Sequence, residues 1–251
     1  MGESKKNEIP GTKAFAEGLF VAPFLHSGVA DAYNEATAAI NIRTPVVGIT
    51  GPPGCGTTTI AIAALGVLGD TTILDLSASD GDLIAAAAVI LGGKKQELPR
   101  LLGKLEDDDI VFLVDGPAVA RAEPLVDQID LLLQLAGRPA VVVLAGDKAP
   151  IEQAVNSERL VLRGAVMVEI GPMRPEETAR YLVSRLSQSG LPEDTFMADS
   201  AVLIGSAAAG VPAKINAIAR RALAVAWMSN SRVVGMQEVS AAITPVDIDG
   251  L

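Results

Sequence analysis

The sequence predicts an α/β protein with a parallel sheet, followed by a unit built only of helices. Short β-rich apolar runs alternate with helical segments from residue 44 to residue 170. A glycine-rich stretch, GITGPPGCGTTTIAIAAL at 48–65, joins an apolar strand to an apolar helix. Strand-like runs stop after residue 170, whereas helical periodicity continues. Alternating strands and helices are typical of a parallel sheet that is covered on both faces.

The elements can be placed in order from apolar runs, caps and breakers. Four or five mostly parallel strands are expected, at 45–50, 71–76, 109–115, 140–146 and 165–170. Helices are predicted in the first part at 31–42, 81–92, 97–105 and 124–135, with one more directly after the glycine-rich stretch. Helices are predicted in the second part at 175–190, 199–210, 212–230 and 236–243. We therefore expect a flexible N-terminus at 1–14, an α/β core at 15–171, and a helical lid domain with a tail at 172–251.

Composition narrows the function classes. The net charge of −10 and the pI near 4.6 argue against nucleic acid as a partner, because phosphate contacts need clustered Lys and Arg. The single cysteine, Cys55, cannot form an intrachain disulfide, and the N-terminal residues contain no apolar signal segment, so a cytoplasmic location is expected. Residues 44–69 carry no charge, but prolines and threonines interrupt them, which argues against membrane insertion.

The glycine-rich stretch nearly matches the phosphate-binding pattern G-x-x-x-x-G-K-[ST], with Thr57 where the lysine belongs. Thr58 and Asp115, which ends an apolar strand, are the predicted magnesium ligands, and Lys214 is a further candidate phosphate contact. The simpler alternatives are an ordinary glycine-rich turn, a polar strand end and a solvated lysine. The predicted nucleotide-binding residues in the stretch are Gly51, Pro52, Pro53, Gly54, Cys55, Gly56, Thr57, Thr58 and Thr59.

Three segments carry a family resemblance: FVAPFLHSGVADAYNEA, RPEETARYLVSRLSQSG, and FMADSAVLIGSAAAGVPAKINAIARRALAVAW. In their spacing they resemble the ExeA/GspA-type AAA+ secretion ATPases, over residues 15–243. The resemblance implies an AAA+-like P-loop core with a helical lid. It also implies a Walker A lysine, a Walker B glutamate and a lid sensor arginine, where this chain has Thr57, Gly116 and Ala213. We therefore predict no catalytic residue, and expect ATP or ADP with magnesium to bind weakly or to be absent.

These losses favour a degenerate AAA+ protein that acts as a scaffold or regulatory assembly subunit, for instance of an envelope, secretion or surface-structure system. Its expected partners are other proteins and further copies of itself, in a ring or a filament, with the small residues 207–210 permitting close approach. One alternative is an active ExeA-type ATPase that takes its catalytic groups from elsewhere in the chain or from another subunit. Another is a ParA/MinD-like positioning ATPase, suggested by GPPGCGTTT, ILDLSASDGD and FLVDGPAV, although those proteins lack a helical lid. A DNA-transposition regulator of AAA+ type is disfavoured by the negative charge.

The remaining chemistry-bearing residues receive structural interpretations. His26 is expected at a turn or packed beside an adenine, and Cys55 is expected to fill the turn as a small residue. The resemblance places an arginine that can point at a neighbour's nucleotide near Arg159 and Arg163, for which surface ion pairs are expected here. The acidic residues at 75, 80 and 82 are interpreted as solvated caps rather than metal ligands.

Overall fold

The computed structural model describes residues 24–69, 71–105, 109–122 and 124–243. The expectations for the N-terminal 14 residues, for a core that starts at residue 15 and for the tail after residue 243 fall outside these ranges. The described chain forms two compact units: residues 29–171, here called the α/β unit, and residues 24–28 with 172–243, here called the helical unit.

Five parallel strands form a single sheet in the α/β unit, as predicted. They are β1 (Val46–Thr50), β2 (Thr71–Asp75), β3 (Asp109–Asp115), β4 (Ala140–Gly146) and β5 (Val166–Glu169). Their order across the sheet is β2-β3-β4-β1-β5. β1 is buried over its whole length, including Thr50 at its end, as the apolar run before Thr50 predicts for a strand covered on both faces. The carboxyl ends of all five strands meet at one edge of the sheet, where β1 continues into the glycine-rich stretch.

Helices cover both faces of this sheet. They are α1 (Ser27–Asn41), α2 (Thr57–Leu65), α3 (Leu83–Ile90), α4 (Leu98–Leu102), α5 (Pro117–Arg121), α6 (Leu125–Ala136), α7 (Lys148–Val155) and α8 (Glu158–Leu162). Buried residues of α1 and α2 pack with one face of the sheet, and those of α3 to α8 pack with the other. The short helices α5, α7 and α8 were not predicted from the sequence. Five to eight residues are too few to show a clear helical period.

The helical unit contains four α-helices among its described residues, at the positions predicted. They are α9 (Pro175–Gln188), α10 (Ala198–Ala207), α11 (Pro212–Met228) and α12 (Met236–Ile243). Their apolar faces form a separate core of Leu, Ile, Val and Ala side chains. Gly210 lies so close to this unit's own backbone that an added Cβ would come 2.0 Å from the carbonyl oxygen of Met173. The small residue at 210 therefore serves packing within the unit.

Candidate nucleotide-binding site

The glycine-rich loop leaves β1 and enters α2 at the carboxyl edge of the sheet. Gly54 and Gly56 have φ angles of 83° and 100°, in the left-handed region that glycine tolerates best. Gly56 is the N-terminal cap of α2, so the first N–H groups of the helix follow the loop directly. Such N–H groups have no partner within the helix and carry partial positive charge, which suits a phosphate group.

The base of the loop is packed without spare room. An added Cβ on Gly51 would come 2.6 Å from Cys55 Sγ and 2.9 Å from the carbonyl oxygen of Ile170. Cys55 is buried, and its N–H donates to the carbonyl oxygen of Pro52 at 3.0 Å, which closes the turn. Burial raises the pKa of the Cys55 thiol, against a hydrogen bond from the N–H of Thr57. Cys55 therefore fills the turn as a small uncharged residue, as expected.

The structure brings together the two predicted magnesium ligands. Thr58 Oγ1 donates a hydrogen bond of 3.0 Å to Asp115 Oδ1, although the residues are 57 positions apart in the chain. The first turn of α2 carries Thr58, whereas Asp115 is the last residue of β3. A hydroxyl oxygen and a carboxylate oxygen thus face each other next to the loop, and both are ligands that magnesium prefers.

Asp75, at the end of β2, lies on the same side of the sheet as Asp115. It pairs in register with Leu113, and side chains alternate along a strand, so Asp115 is the next residue on that face. Burial raises the pKa of Asp115, with the negative charge of Asp75 adding to the rise and the hydrogen bond from Thr58 opposing it. Asp75 itself accepts hydrogen bonds from the N–H and the hydroxyl of Ser77. The sequence predicted only a solvated cap at Asp75 and gave no sign that it shares a face of the sheet with Asp115.

Gly116, where the family resemblance implies a Walker B glutamate, has an unusual backbone conformation. Its φ is 58° and its ψ is −133°, a combination that L-residues with a Cβ rarely adopt. An added Cβ would meet no atom within 4 Å, so space does not limit this position. The backbone of the strand end therefore disfavours any side chain there.

Acidic residues follow or end four of the five strands at this edge. They are Asp75, Asp115, Asp147 and Glu169. Lys148, the first residue of α7, donates to Glu169 Oε1 and Oε2 at 3.1 and 3.0 Å and so neutralises that carboxylate. The glycine-rich loop itself carries no charged side chain. This edge of the sheet therefore carries acidic side chains, and the only positive charge in the loop is the partial charge of its backbone N–H groups.

Two other predicted positions lie in the helical unit. Ala213 and Lys214 are both exposed in the first turn of α11. Ala213 offers no charge, and the phosphate contact proposed for Lys214 stays a prediction. His26 is buried in the same unit, and neither ring nitrogen has a hydrogen-bond partner in the described part of the chain.

The two arginines near the last core strand form ion pairs within the α/β unit, as expected. Arg159 on α8 binds Asp127 on α6, and the Arg163 Nε donates to Asp130 Oδ1 at 2.6 Å. Arg159 lies in α8 and Arg163 directly follows it, so both pairs join this part of the chain to α6.

Comparison with known proteins defines the fold. No model of a protein family and no curated protein matches the sequence. Among solved structures, Cdc6p from Pyrobaculum aerophilum aligns with a TM-score of 0.72 at 14% identity, over 92% of this chain and 69% of that protein. The ORC of Drosophila bound to DNA aligns with a TM-score of 0.68 at 17% identity, over 97% and 67%. ORC2 of Aeropyrum pernix, in its ADPNP and ADP complexes, aligns with a TM-score of 0.64 at 14% identity, over 92% and 71%.

The chain has an AAA+ fold. This confirms the predicted class, a P-loop sheet with a C-terminal helical unit. An identity of 14–17% supports the AAA+ fold and does not extend to the activity of these proteins. None of the described helices has both the length and the apolar character needed to cross a membrane.

Proposed function

We propose that this AAA+ chain binds an adenine nucleotide at the glycine-rich loop, hydrolyses it far more slowly than an enzyme would, and acts as a scaffold or regulatory assembly subunit. The observation that supports this most directly is the hydrogen bond between Thr58 and Asp115. It preserves the oxygen ligands of a magnesium–nucleotide site, while Thr57 and Gly116 provide neither a phosphate-binding lysine nor a carboxylate that polarises water.

The residues present fit a nucleotide with magnesium. Gly54 and Gly56 let the backbone approach a phosphate closely, and the N-terminus of α2 provides N–H donors. Thr58 and Asp115 are the residues that would hold the cation. Bound there, magnesium would supply positive charge to the phosphates. This chain's own residues would supply the N–H donors, the oxygen ligands and the shape of the loop.

The chain lacks three groups that the family resemblance associates with hydrolysis. Thr57 offers a hydroxyl but no charge at the bond being broken. Gly116 has no side chain to orient a water molecule, a general-base role that usually contributes about 10²–10⁴ in rate. Ala213 cannot stabilise the charge that develops in the transition state. Asp75, on the same face of the sheet as Asp115, is a carboxylate that could serve an active ATPase instead, which keeps that alternative testable.

We further propose protein partners rather than nucleic acid, in an envelope, secretion or surface-assembly system of the kind that the ExeA/GspA resemblance suggests, with a cytoplasmic location. The net charge of −10 supports this choice, because nonspecific binding to DNA depends on clustered basic residues. The ORC structure that is bound to DNA shares 17% identity with this chain, which supports a common fold only.

Release of bound nucleotide tests the proposal. The purified protein is denatured by heat or acid, the supernatant is analysed by chromatography, and phosphate release from ATP is measured in parallel. We expect adenine nucleotide to be bound, or to bind when it is added with magnesium, and turnover to stay well below about 1 s⁻¹. Turnover at that rate or faster, abolished in Thr58→Ala and Asp115→Ala, would establish the active ATPase instead.

A further inference from the structure

The electrostatics of the loop restrict the form in which a nucleotide can bind. At neutral pH an adenine di- or triphosphate carries several negative charges, which the missing lysine would partly balance. The loop has no charged side chain, and the strand ends beside it carry Asp75 and Asp115. Lys148 is already paired with Glu169 on the other face of the sheet. A free nucleotide would therefore meet uncompensated negative charge.

Asp75 and Asp115 together offer what a divalent cation needs. Asp75 pairs in register with Leu113, so Asp115 is the next residue of β3 on the same face of the sheet, and Thr58 Oγ1 donates to Asp115 from the first turn of α2. A divalent cation held by these residues would reduce the repulsion between the two carboxylates and would supply positive charge to a bound phosphate. The two carboxylates thus repel a nucleotide without a cation, and they attract the cation of a nucleotide complex.

Resting on the proposed nucleotide site, we propose that nucleotide binds this loop only as its complex with a divalent cation, and that Asp75 acts with Asp115 and Thr58 to recruit that cation. The cation takes over the charge that a Walker A lysine supplies elsewhere. Asp75, on β2, thereby gains a role that the phosphate-binding motif does not assign to it.

The test measures binding of a fluorescent ADP analogue to the full chain by anisotropy, in buffer with magnesium and in buffer with EDTA. For the unmodified protein we expect affinity to fall by about 100-fold or more in EDTA, because interactions of unit charges at a few ångströms are strong at a partly buried site. Asp75→Asn is expected to weaken binding about tenfold in magnesium and to leave binding in EDTA equal or slightly stronger.

Two further variants serve as controls. Asp147→Asn removes another strand-end carboxylate, one that caps α7, and should change both affinities by less than about threefold. Thr57→Lys returns a positive charge to the loop, so it should raise the affinity in EDTA and reduce the magnesium dependence about tenfold. Thermal melting of each variant establishes that it is folded.

The outcomes separate this inference from the proposed site. Binding that is equally strong in magnesium and EDTA would overturn the cation requirement while leaving the nucleotide site intact. An effect of Asp75→Asn no larger than that of Asp147→Asn would overturn the role of Asp75. The absence of binding in both buffers would overturn the nucleotide site itself, and this inference with it.

Discussion

At the scale of single residues, Gly116 shows how the backbone restricts the chemistry of the site. With φ at 58° and ψ at −133°, the position suits glycine whatever space surrounds it. A glutamate introduced here would have to strain the strand end or shift it, and either change would also move Asp115, its neighbour. The backbone at residue 116 therefore disfavours the glutamate that the family resemblance implies there.

A residue with a Cβ at position 116 should therefore reduce the stability of the protein. We expect Gly116→Ala to lower the free energy of unfolding by about 1–3 kcal/mol, the usual cost of a residue with a Cβ in such a region. Gly137 is a matched control, because it also has a positive φ, 62°, and no atom within 4 Å of an added Cβ. Its ψ of 12° lies nearer the left-handed helical region, where the cost is about 1–2 kcal/mol. Urea unfolding of both variants measures the difference, and a larger loss at Gly137 would contradict the argument.

The same site predicts that one restored residue will not restore ATPase activity. We expect Thr57→Lys alone to leave phosphate release unchanged, since catalytic groups that act as a unit contribute non-additively. The informative series adds Gly116→Glu and then Ala213→Arg, each checked for folding because Gly116→Glu carries the strain described above. Turnover near about 1 s⁻¹ in Thr57→Lys alone would contradict this prediction.

The contact between Thr58 and Asp115 could be predicted from sequence. The placement of Asp75 on the same face of the sheet as Asp115 could not. The loop motif fixes where the first turn of α2 lies, and the apolar run before Asp115 marks a strand end at the same edge of the sheet. Which strand lies beside β3 depends on the order β2-β3-β4-β1-β5. That order results from packing over the whole unit and leaves no local pattern near Asp75.

At the scale of elements, Glu177 connects two helix N-termini within the helical unit. Its Oε1 accepts from the N–H of Ser27, the first residue of α1, at 2.9 Å. Its Oε2 accepts from the hydroxyl of Ser27 and from the N–H of Arg174, which precedes α9, both at 3.1 Å. Burial by itself raises the pKa of Glu177, but these hydrogen bonds outweigh burial and hold the pKa below its ordinary value. The sequence predicted the start of α9 but contained no sign of the bond to Ser27, 150 residues away.

Removing the charge of Glu177 should therefore destabilise the N-terminal ends of both α1 and α9. We expect Glu177→Gln to cost about 1–3 kcal/mol of unfolding free energy, since hydrogen bonds to a buried charged group are lost or weakened. Glu176 also lies in the first turn of α9 but is exposed, so Glu176→Gln should stay within about 0.5 kcal/mol of the unmodified protein. Guanidinium unfolding compares the two, and equal effects would contradict the capping role.

His26 is expected to make the stability of the folded protein depend on pH. Burial lowers the pKa of His26, while the negative charge of Glu177 opposes the shift. The unfolded chain then takes up the proton more readily, so stability should decrease as pH falls below about 6.5, the ordinary histidine value. The contribution of Glu177 is present above the ordinary glutamate value of about 4.3 and is lost only at lower pH. Between pH 7.5 and pH 5.5, the free energy of unfolding should decrease less for His26→Phe than for the unmodified protein. An identical decrease would exclude His26 as the source of the pH dependence.

At the scale of the whole molecule, the negative charge is concentrated in one unit. Residues 29–171 contain 19 Asp and Glu against 10 Lys and Arg, and so carry −9 of the chain's −10.

The alternation of strands and helices was enough to predict the architecture, because each buried strand requires helices on both faces. Charge and exposed apolar side chains, in contrast, say more about association than about fold.

We expect the protein to self-associate, and exposed apolar side chains on two different surfaces suggest how to test this. In the α/β unit Leu162 is 81% exposed, and in the helical unit Met228 is 76% exposed beside the half-exposed Trp227. A contact between two different surfaces is head-to-tail, and it forms a ring if it closes or a filament if it does not. We expect light scattering at tens of micromolar to detect species larger than a monomer, and Leu162→Asp and Met228→Asp each to reduce them to monomer. Because each variant keeps one intact surface, an equal mixture of the two should form dimers but nothing larger. If the mixture stays monomeric, the contact is not head-to-tail through these surfaces, and if the unmodified protein is monomeric with and without magnesium nucleotide, self-association is excluded.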